Sequence, residues 1–144
     1  MAKAFKMQLN GFLGKARADA DKRVQDLVTE VYNNVLSQSP HPGNSKKGYS
    51  KGSYALSHRI AIGAIDPSFT KVPHEVTDAI VQAQAELAKV PQIKAGDVVF
   101  ISNSVPHSPR VEHGGWDYKN GGTTPYNTYK KALVLSKAKI RTFK

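Results

Sequence analysis

The sequence has no cysteine, which removes disulfide staples, thiolate zinc sites and cysteine nucleophiles in one step and fits a reducing cytoplasm. Long apolar runs are missing too. Nothing approaches the roughly 20 consecutive residues that a membrane-spanning helix requires. The N-terminus Met1-Ala2-Lys3-Ala4-Phe5-Lys6 is basic, but Gln8, Asn10, Gly11 and Gly14 interrupt what would be the apolar core of a signal peptide. The chain is therefore expected to stay where it is made. Acid is scarce: no Asp or Glu lies between Glu30 and Asp66, and none follows Asp117.

What is present reads as one soluble globular domain of 144 residues, 40% hydrophobic and 22% charged, with no internal repeat. Lys and Arg outnumber Asp and Glu by 21 to 11, a net charge of +10. The excess is concentrated at Lys46, Lys47, Lys51 and Arg59, and again at Lys119, Lys130, Lys131, Lys137, Lys139, Arg141 and Lys144. Such a field attracts polyanions or an acidic protein surface, and composition does not choose between them.

Periodicity supplies the elements. Val24, Leu27, Val28, Val31 and Val35 recur at helical spacing from Ala20 onward, while Asp21, Arg23, Asp26 and Glu30 fall on the other face. Gly11 and Gly14 weaken an extension toward Met1, so residues 1–15 are read as an N-terminal arm or a frayed start. Ser39-Pro40-His41-Pro42-Gly43 ends the helix. Residues 40–52 are polar and basic without an apolar period, and are expected to form a long mobile basic loop. From Tyr54 to Ile62 the apolar positions alternate, predicting a strand that ends at Gly63.

Pro73, Glu75, Val76, Ala79, Ile80, Ala83, Leu87 and Val90 describe a second amphipathic helix stopped by Pro91. Lys94-Ala95-Gly96-Asp97 predicts a turn into Val98-Val99-Phe100-Ile101, an apolar run suited to a central strand. The Pro- and Gly-rich stretch from Asn103 to Gly122, holding Trp116 and Tyr118, reads as a structured loop. Beyond Thr124-Pro125, Tyr129, Leu133, Ser136 and Ile140 sit at helical spacing, although Val134 and Leu135 also permit a strand. The fold class is α+β: a small antiparallel sheet packed against two or three amphipathic helices.

Four short segments then carry a family likeness. Gly52 with Ser57-His58-Arg59-Ile60-Ala61-Ile62-Gly63, Val99-Phe100-Ile101-Ser102-Asn103, Pro106-His107, and Arg110-Val111-Glu112-His113-Gly114 occur in order, with a helix between the first two. Together they resemble the phage tail-completion and neck family, which includes the lambda-like minor tail protein Z and the head-tail joining proteins of related siphophages. That family reads Gly-Arg-Leu into Ser-Trp-Arg-Val, then Val-Tyr-Ile-x-Asn, then Pro-Tyr-Ala and a Val-Glu-Tyr-Gly turn. The match runs from about Val24 to Gly115. Here His58 stands where an aromatic is usual, His107 and His113 stand where tyrosines are usual, and Lys51 and Ser53 replace the threonine and arginine that flank Gly52.

The resemblance implies a non-enzymatic virion protein, assembled in the host cytoplasm into a ring, often of six copies, at the head-tail junction. Its expected partners are further copies of itself and the neighbouring connector and tail proteins, with DNA in the channel nearby and no membrane. Ring subunits need two different patches that meet head to tail, and arms that order on assembly are a common way to cover a neighbour. Residues 40–52 and the termini are candidates for such arms. The candidate assembly interface comprises Lys46, Lys47, Lys51 and Arg59 on the basic side. From the second half of the chain it takes Asn103, Pro106, His107, Arg110, Glu112, His113, Gly114 and Trp116.

Chemical readings of the same residues fare less well. His107, Glu112 and His113 offer metal-ligand or acid/base atoms, but no His-Glu-x-x-His helix is present and Pro106 and Pro109 break helical spacing. The family's tyrosines at both histidine positions favour packing and hydrogen bonding. Glu112 is expected to accept backbone N–H groups across the loop, to pair with a basic residue of the next subunit, or to stand exposed and solvated. Gly114, Gly115, Gly121 and Gly122 lack the Gly-Lys-Ser/Thr of a phosphate cradle, and neither Ser57 nor Ser108 sits in a Gly-x-Ser-x-Gly elbow. No cofactor is expected. The basic segments with Tyr49 and Tyr54 interleaved face DNA, an acidic ring or solvent; an inter-ring contact is preferred, and a free nucleic-acid-binding protein is the alternative function.

Overall fold

The computed structural model describes residues 2–39, 54–70, 76–113 and 127–140. The predicted basic loop, including Lys46, Lys47 and Lys51, and the segment with Gly114 and Trp116 lie outside them. Within them the architecture is α+β: α1 (Ala2–Gln38), β1 (His58–Ile62), α2 (Val76–Leu87), β2 (Val99–Asn103), α3 (Ser108–His113) and α4 (Thr128–Ile140). β1 and β2 form an antiparallel pair in which His58 faces Asn103, Ile60 faces Ile101 and Ile62 faces Val99. No helix among the described residues is long and apolar enough to cross a membrane.

The second half of α1 follows the predicted stripe, with Val28, Tyr32 and Val35 buried and Val24 and Leu36 partly so. Its first half corrects the expectation of a frayed start, for the helix continues unbroken through Gly11 and Gly14. No proline occurs before Pro40, and alanines at 16, 18 and 20 favour helix strongly enough to carry two glycines. The end is fixed locally: Ser39 donates its N–H to the Leu36 carbonyl at 3.2 Å and its hydroxyl to that of Val35 at 2.7 Å.

The core forms where α1, the sheet, α2 and the 3-10 turn Val90–Gln92 meet, around Val28, Tyr32, Ile60, Val90 and Ile93. Full burial of each such large side chain contributes about 1.5–3 kcal/mol. Gln25 on α1 donates to the Ile93 carbonyl at 2.9 Å, and Asp21 accepts the Ala95 N–H at 2.7 Å. These bonds lash the predicted 94–97 turn to α1. Asp97 closes that turn by accepting the Lys94 N–H at 2.8 Å, and Gly96 supplies its positive φ of 96°.

Three other expectations are corrected. β2 was expected as a buried central strand, yet it is one of only two strands among the described residues and is half-buried along its length. Pro106 and Pro109 were expected to exclude regular helix, but α3 forms because Pro109 falls in the first turn, where no N–H is required. The His107 carbonyl accepts the N–H groups of Arg110 and Val111 at 3.1 and 3.2 Å to start it. On α4 Ser136 is buried as its place in the predicted stripe requires, but the other buried positions are Thr128 and Ala132, one residue before the predicted Tyr129 and Leu133, while Leu133, Val134 and Leu135 are exposed. Small side chains let α4 approach α1 closely, and Asn34 donates to the Ser136 hydroxyl at 3.0 Å across the contact.

Candidate functional site

Three of the segments that carry the family likeness, Ser57 to Gly63, Val99 to Asn103 and Arg110 to His113, meet at one polar seam between β1, β2, α3 and α4, while Gly52 and Gly114 lie outside the described residues. At its centre is the His58 ring, fully buried and held edge-on by Tyr54, at a ring separation of 5.0 Å, and by Tyr129, at 5.6 Å. The histidine thus packs as the aromatic expected at its position while also carrying two hydrogen-bonding atoms. Ser39 Oγ lies 2.7 Å from His58 Nε2. Because the Ser39 hydroxyl proton goes to the Val35 carbonyl, Ser39 accepts from Nε2–H, which fixes the tautomer. His58 Nδ1 then accepts from the Tyr129 hydroxyl at 2.8 Å and faces the Asn103 amide at 3.3 Å.

Asn103 sits at the end of β2, opposite His58 in the register. Its amide donates to the Tyr54 carbonyl at 2.7 Å, and its Oδ1 accepts the Val105 N–H at 3.2 Å. Glu112 completes the seam from α3: Oε1 accepts the Tyr54 hydroxyl at 2.5 Å and Oε2 accepts the Tyr129 N–H at 3.4 Å. The first turn of α4 is an electrostatically favoured place for that carboxylate.

Burial, and secondarily the charge of Arg59, lowers His58 to a pKa of about 3, so its imidazole is neutral across the physiological range. Tyr54 and Tyr129 are both pushed above the ordinary phenol range, by burial first and then by the neighbouring Glu112. Ser39, His58 and Tyr129 are aligned as a hydroxyl, an imidazole and an orienting hydroxyl. The alignment does not make a nucleophile, since the serine proton is committed to a helix carbonyl and the group is buried.

Two more buried charges flank the sheet. Arg59, expected on an assembly surface, is buried instead: its guanidinium donates to the Leu56 carbonyl at 2.7 Å, Ser68 Oγ at 3.1 Å and Thr70 Oγ1 at 3.2 Å. Glu86 was not singled out in the sequence. It accepts the Ile60 N–H at 2.7 Å, Lys89 at 2.7 Å and Gln82 at 3.2 Å. A lone acid near the end of an amphipathic helix gives no hint that it turns inward, and the Ile60 N–H of the adjoining strand is what it satisfies there.

Of the other predicted site residues, Pro106, Arg110 and His113 are exposed, and His107 is half-buried with its pKa lowered by that burial. Asn103 and Glu112 are half-buried. Glu112 takes a backbone N–H, that of Tyr129, as expected for it, and its other oxygen is engaged by the Tyr54 hydroxyl. No group of three or more His, Asp or Glu side chains placed to hold a metal ion occurs among the described residues.

The surface offers a different feature. An open trough of about 450 Å³ runs between the second half of α1, β2 and α4, walled by Leu27, Val31, Val99, Ile101, Tyr129 and Leu133. In addition, every residue of α1 from Asn10 to Asp19 is exposed, Phe12 and Leu13 included. The fold and seam define a small α+β protein whose buried polar side chains, Ser102 apart, are hydrogen-bonded among the described residues, and whose surface there carries both an apolar trough and exposed lysines. No protein-family model, curated protein or solved structure matches the chain.

Proposed function

We propose that this chain is a structural subunit acting by self-assembly and docking, and that its setting is the ring at the head-tail junction of a long-tailed bacteriophage. The supporting observation is the convergence of the likeness-bearing segments. Ser57 to Gly63, Val99 to Asn103 and Arg110 to His113 meet through the contacts among Tyr54, His58, Asn103 and Glu112. Their polar atoms hold the scaffold, and among the described residues they are not arranged as a nucleophile with its acid/base pair, which supports a role through shape and surface. Docking to the connector or the tail tube would follow from the same surface complementarity.

Electron microscopy of the purified chain, alone and with head or tail particles, tests this. Rings, or a mass several times 15.7 kDa, are expected. A chain that neither forms rings nor joins particles at the neck would overturn the proposal. A monomer before contact with particles is compatible with assembly on a template.

The nucleic-acid reading keeps one specific support: Lys130, Lys131 and Lys137 project from the exposed side of α4, in a region without acidic residues after Asp117. Duplex DNA binding that falls steeply with salt, by a chain that remains monomeric or dimeric, would favour it over the ring.

A further inference from the structure

We propose that the outward face of α4 is a contact surface for the phosphate backbone of duplex nucleic acid, engaged without regard to base sequence. It rests on the nucleic-acid reading above, to which it gives a surface and a mode, and on no particular oligomeric state. Thr128, Ala132 and Ser136, four residues apart, are buried on the side toward α1 and fix which way the helix is turned. The helical period then sets the opposite side: Lys130, Val134 and Lys137 follow one another along it, with Lys131 and Ala138 beside them, and all five are exposed. Lys130 and Lys137 stand roughly 10 Å apart along the axis, the rise of about three phosphates on one strand. Next to Lys130 and Lys131 the surface opens into a recess of about 430 Å³, lined also by Gln38, Asn127, Val134 and Leu135, which gives a backbone room to settle.

The chain has little acid of its own to spare for this face. None occurs on α4, and Glu30 of α1 is already taken by Lys139 at 2.7 Å. Neither Lys130 nor Lys137 has an acidic partner among the described residues. Residues 40–53, 71–75, 114–126 and 141–144, which lie outside them, carry seven Lys and Arg against two acids, Glu75 and Asp117. Wherever those segments run, they bring more positive charge than negative. The face is therefore left to counterions, which a bound polyanion releases, and that release drives binding.

The side chains select the class of polyanion. Contacts between proteins favour Trp, Tyr and Arg and are depleted in Lys, whereas this face is built from Lys, Val and Ala. A lysine is a compact point charge on a flexible stem, suited to a phosphate whose position varies. Val134 and Ala138 have no side-chain hydrogen-bonding atom with which to read a base edge. Nor does an aromatic ring stand there for unpaired bases to stack on, since Tyr129 of the same helix is half-buried and gives its hydroxyl to His58. The regular backbone of a duplex is what this face fits.

The test uses the full-length chain and labelled DNA duplexes of equal length and unrelated sequence, read by fluorescence anisotropy over a series of salt concentrations. All duplexes are expected to bind alike, with affinity falling steeply as salt rises. Lys130→Gln with Lys137→Gln, which keeps helix propensity, should make the slope of log affinity against log salt shallower by about two, at roughly 0.9 for each lost phosphate contact. Lys15→Gln with Arg17→Gln removes the same charge from an exposed stretch of α1 and should leave the slope unchanged. Circular dichroism confirms that both variants fold. Absence of salt-sensitive binding, an equal loss from both pairs of substitutions, a strong preference for one sequence, or tighter binding of single strands would overturn the proposal. So would binding of poly-L-glutamate through Lys130 and Lys137 with duplexes ignored, the mark of an acidic protein partner. Rings that bind no duplex would sink this surface and leave the ring reading intact. Duplex binding through the two lysines, by a chain that forms no rings alone or with particles, would do the reverse.

Discussion

Tyr54 and Glu112, 58 residues apart in the chain, are joined by a hydrogen bond of 2.5 Å from the phenol to the carboxylate. The same carboxylate takes the backbone N–H of Tyr129, so one side chain of α3 ties the approach to β1 to the start of α4. Glu112→Ala is therefore expected to destabilise the monomer itself, by about 1–3 kcal/mol, since it strands a buried phenol. Denaturant melts check this. Tyr54→Phe removes the same bond, and the double variant should cost less than the sum of the two singles; strict additivity would mean the bond contributes nothing.

His58 makes stability depend on pH in a set direction. Its folded pKa of about 3 lies below the unfolded value of 6.5, so between these limits the unfolded chain binds more protons and stability rises with pH. The contribution is complete above pH 6.5 and is lost progressively as pH falls toward 3, with a slope of up to about 1.4 kcal/mol per pH unit. His107, lowered in the same direction, adds to the slope. Urea melts between pH 5 and 7 should show this rise, and His58→Phe should shrink it; an unchanged slope in that variant would refute the assignment.

Buried polar groups near the sheet separate into satisfied and unsatisfied. Arg59→Leu and Glu86→Ala each leave hydrogen-bonding partners without a mate, and both are expected to cost about 1–3 kcal/mol or more. The Ser102 hydroxyl, by contrast, is buried with no hydrogen-bond partner among the described residues. Ser102→Ala should leave thermal stability unchanged or raise it, and a clear drop in Tm would show that the hydroxyl has a partner after all.

Gly11 and Gly14 lie within α1, and a methyl group added at either meets nothing within 4 Å. Replacing each with alanine should favour helix by about 0.5–1 kcal/mol per site. Because the residues from Asn10 to Asp19 are exposed, the gain is expected as greater helical ellipticity with little change in the cooperative melt. A large shift in Tm would mean that the arm is coupled to the core.

Chelation gives a further check on the His107, Glu112 and His113 cluster. With Glu112 engaged by Tyr54, EDTA should leave Tm unaltered, and a large drop would point to a structural metal.

Much of the scaffold was legible in the sequence because hydrophobic period is a local property. The α1 stripe, the 94–97 turn closed by Asp97, the end of β1 at Gly63 and the antiparallel α+β class all follow from spacing and turn chemistry. Residue order also brought Ser57 to Gly63, Val99 to Asn103 and Arg110 to His113 into a single argument. Which side chains would turn inward was not legible, since burial is decided by what lies opposite. Arg59 and Glu86 look like surface charges until the backbone groups they satisfy are in place, and His58 looks titratable until Tyr54 and Tyr129 enclose it. The α4 face likewise depended on close packing against α1, where Ala132 and Ser136 fit and Leu133 does not. The sequence by itself determined the α1 stripe, the 94–97 turn, the second helix and the α+β class; only tertiary structure decided which polar atoms meet and which apolar faces stay uncovered among the described residues, because those outcomes depend on contacts between segments far apart in the chain.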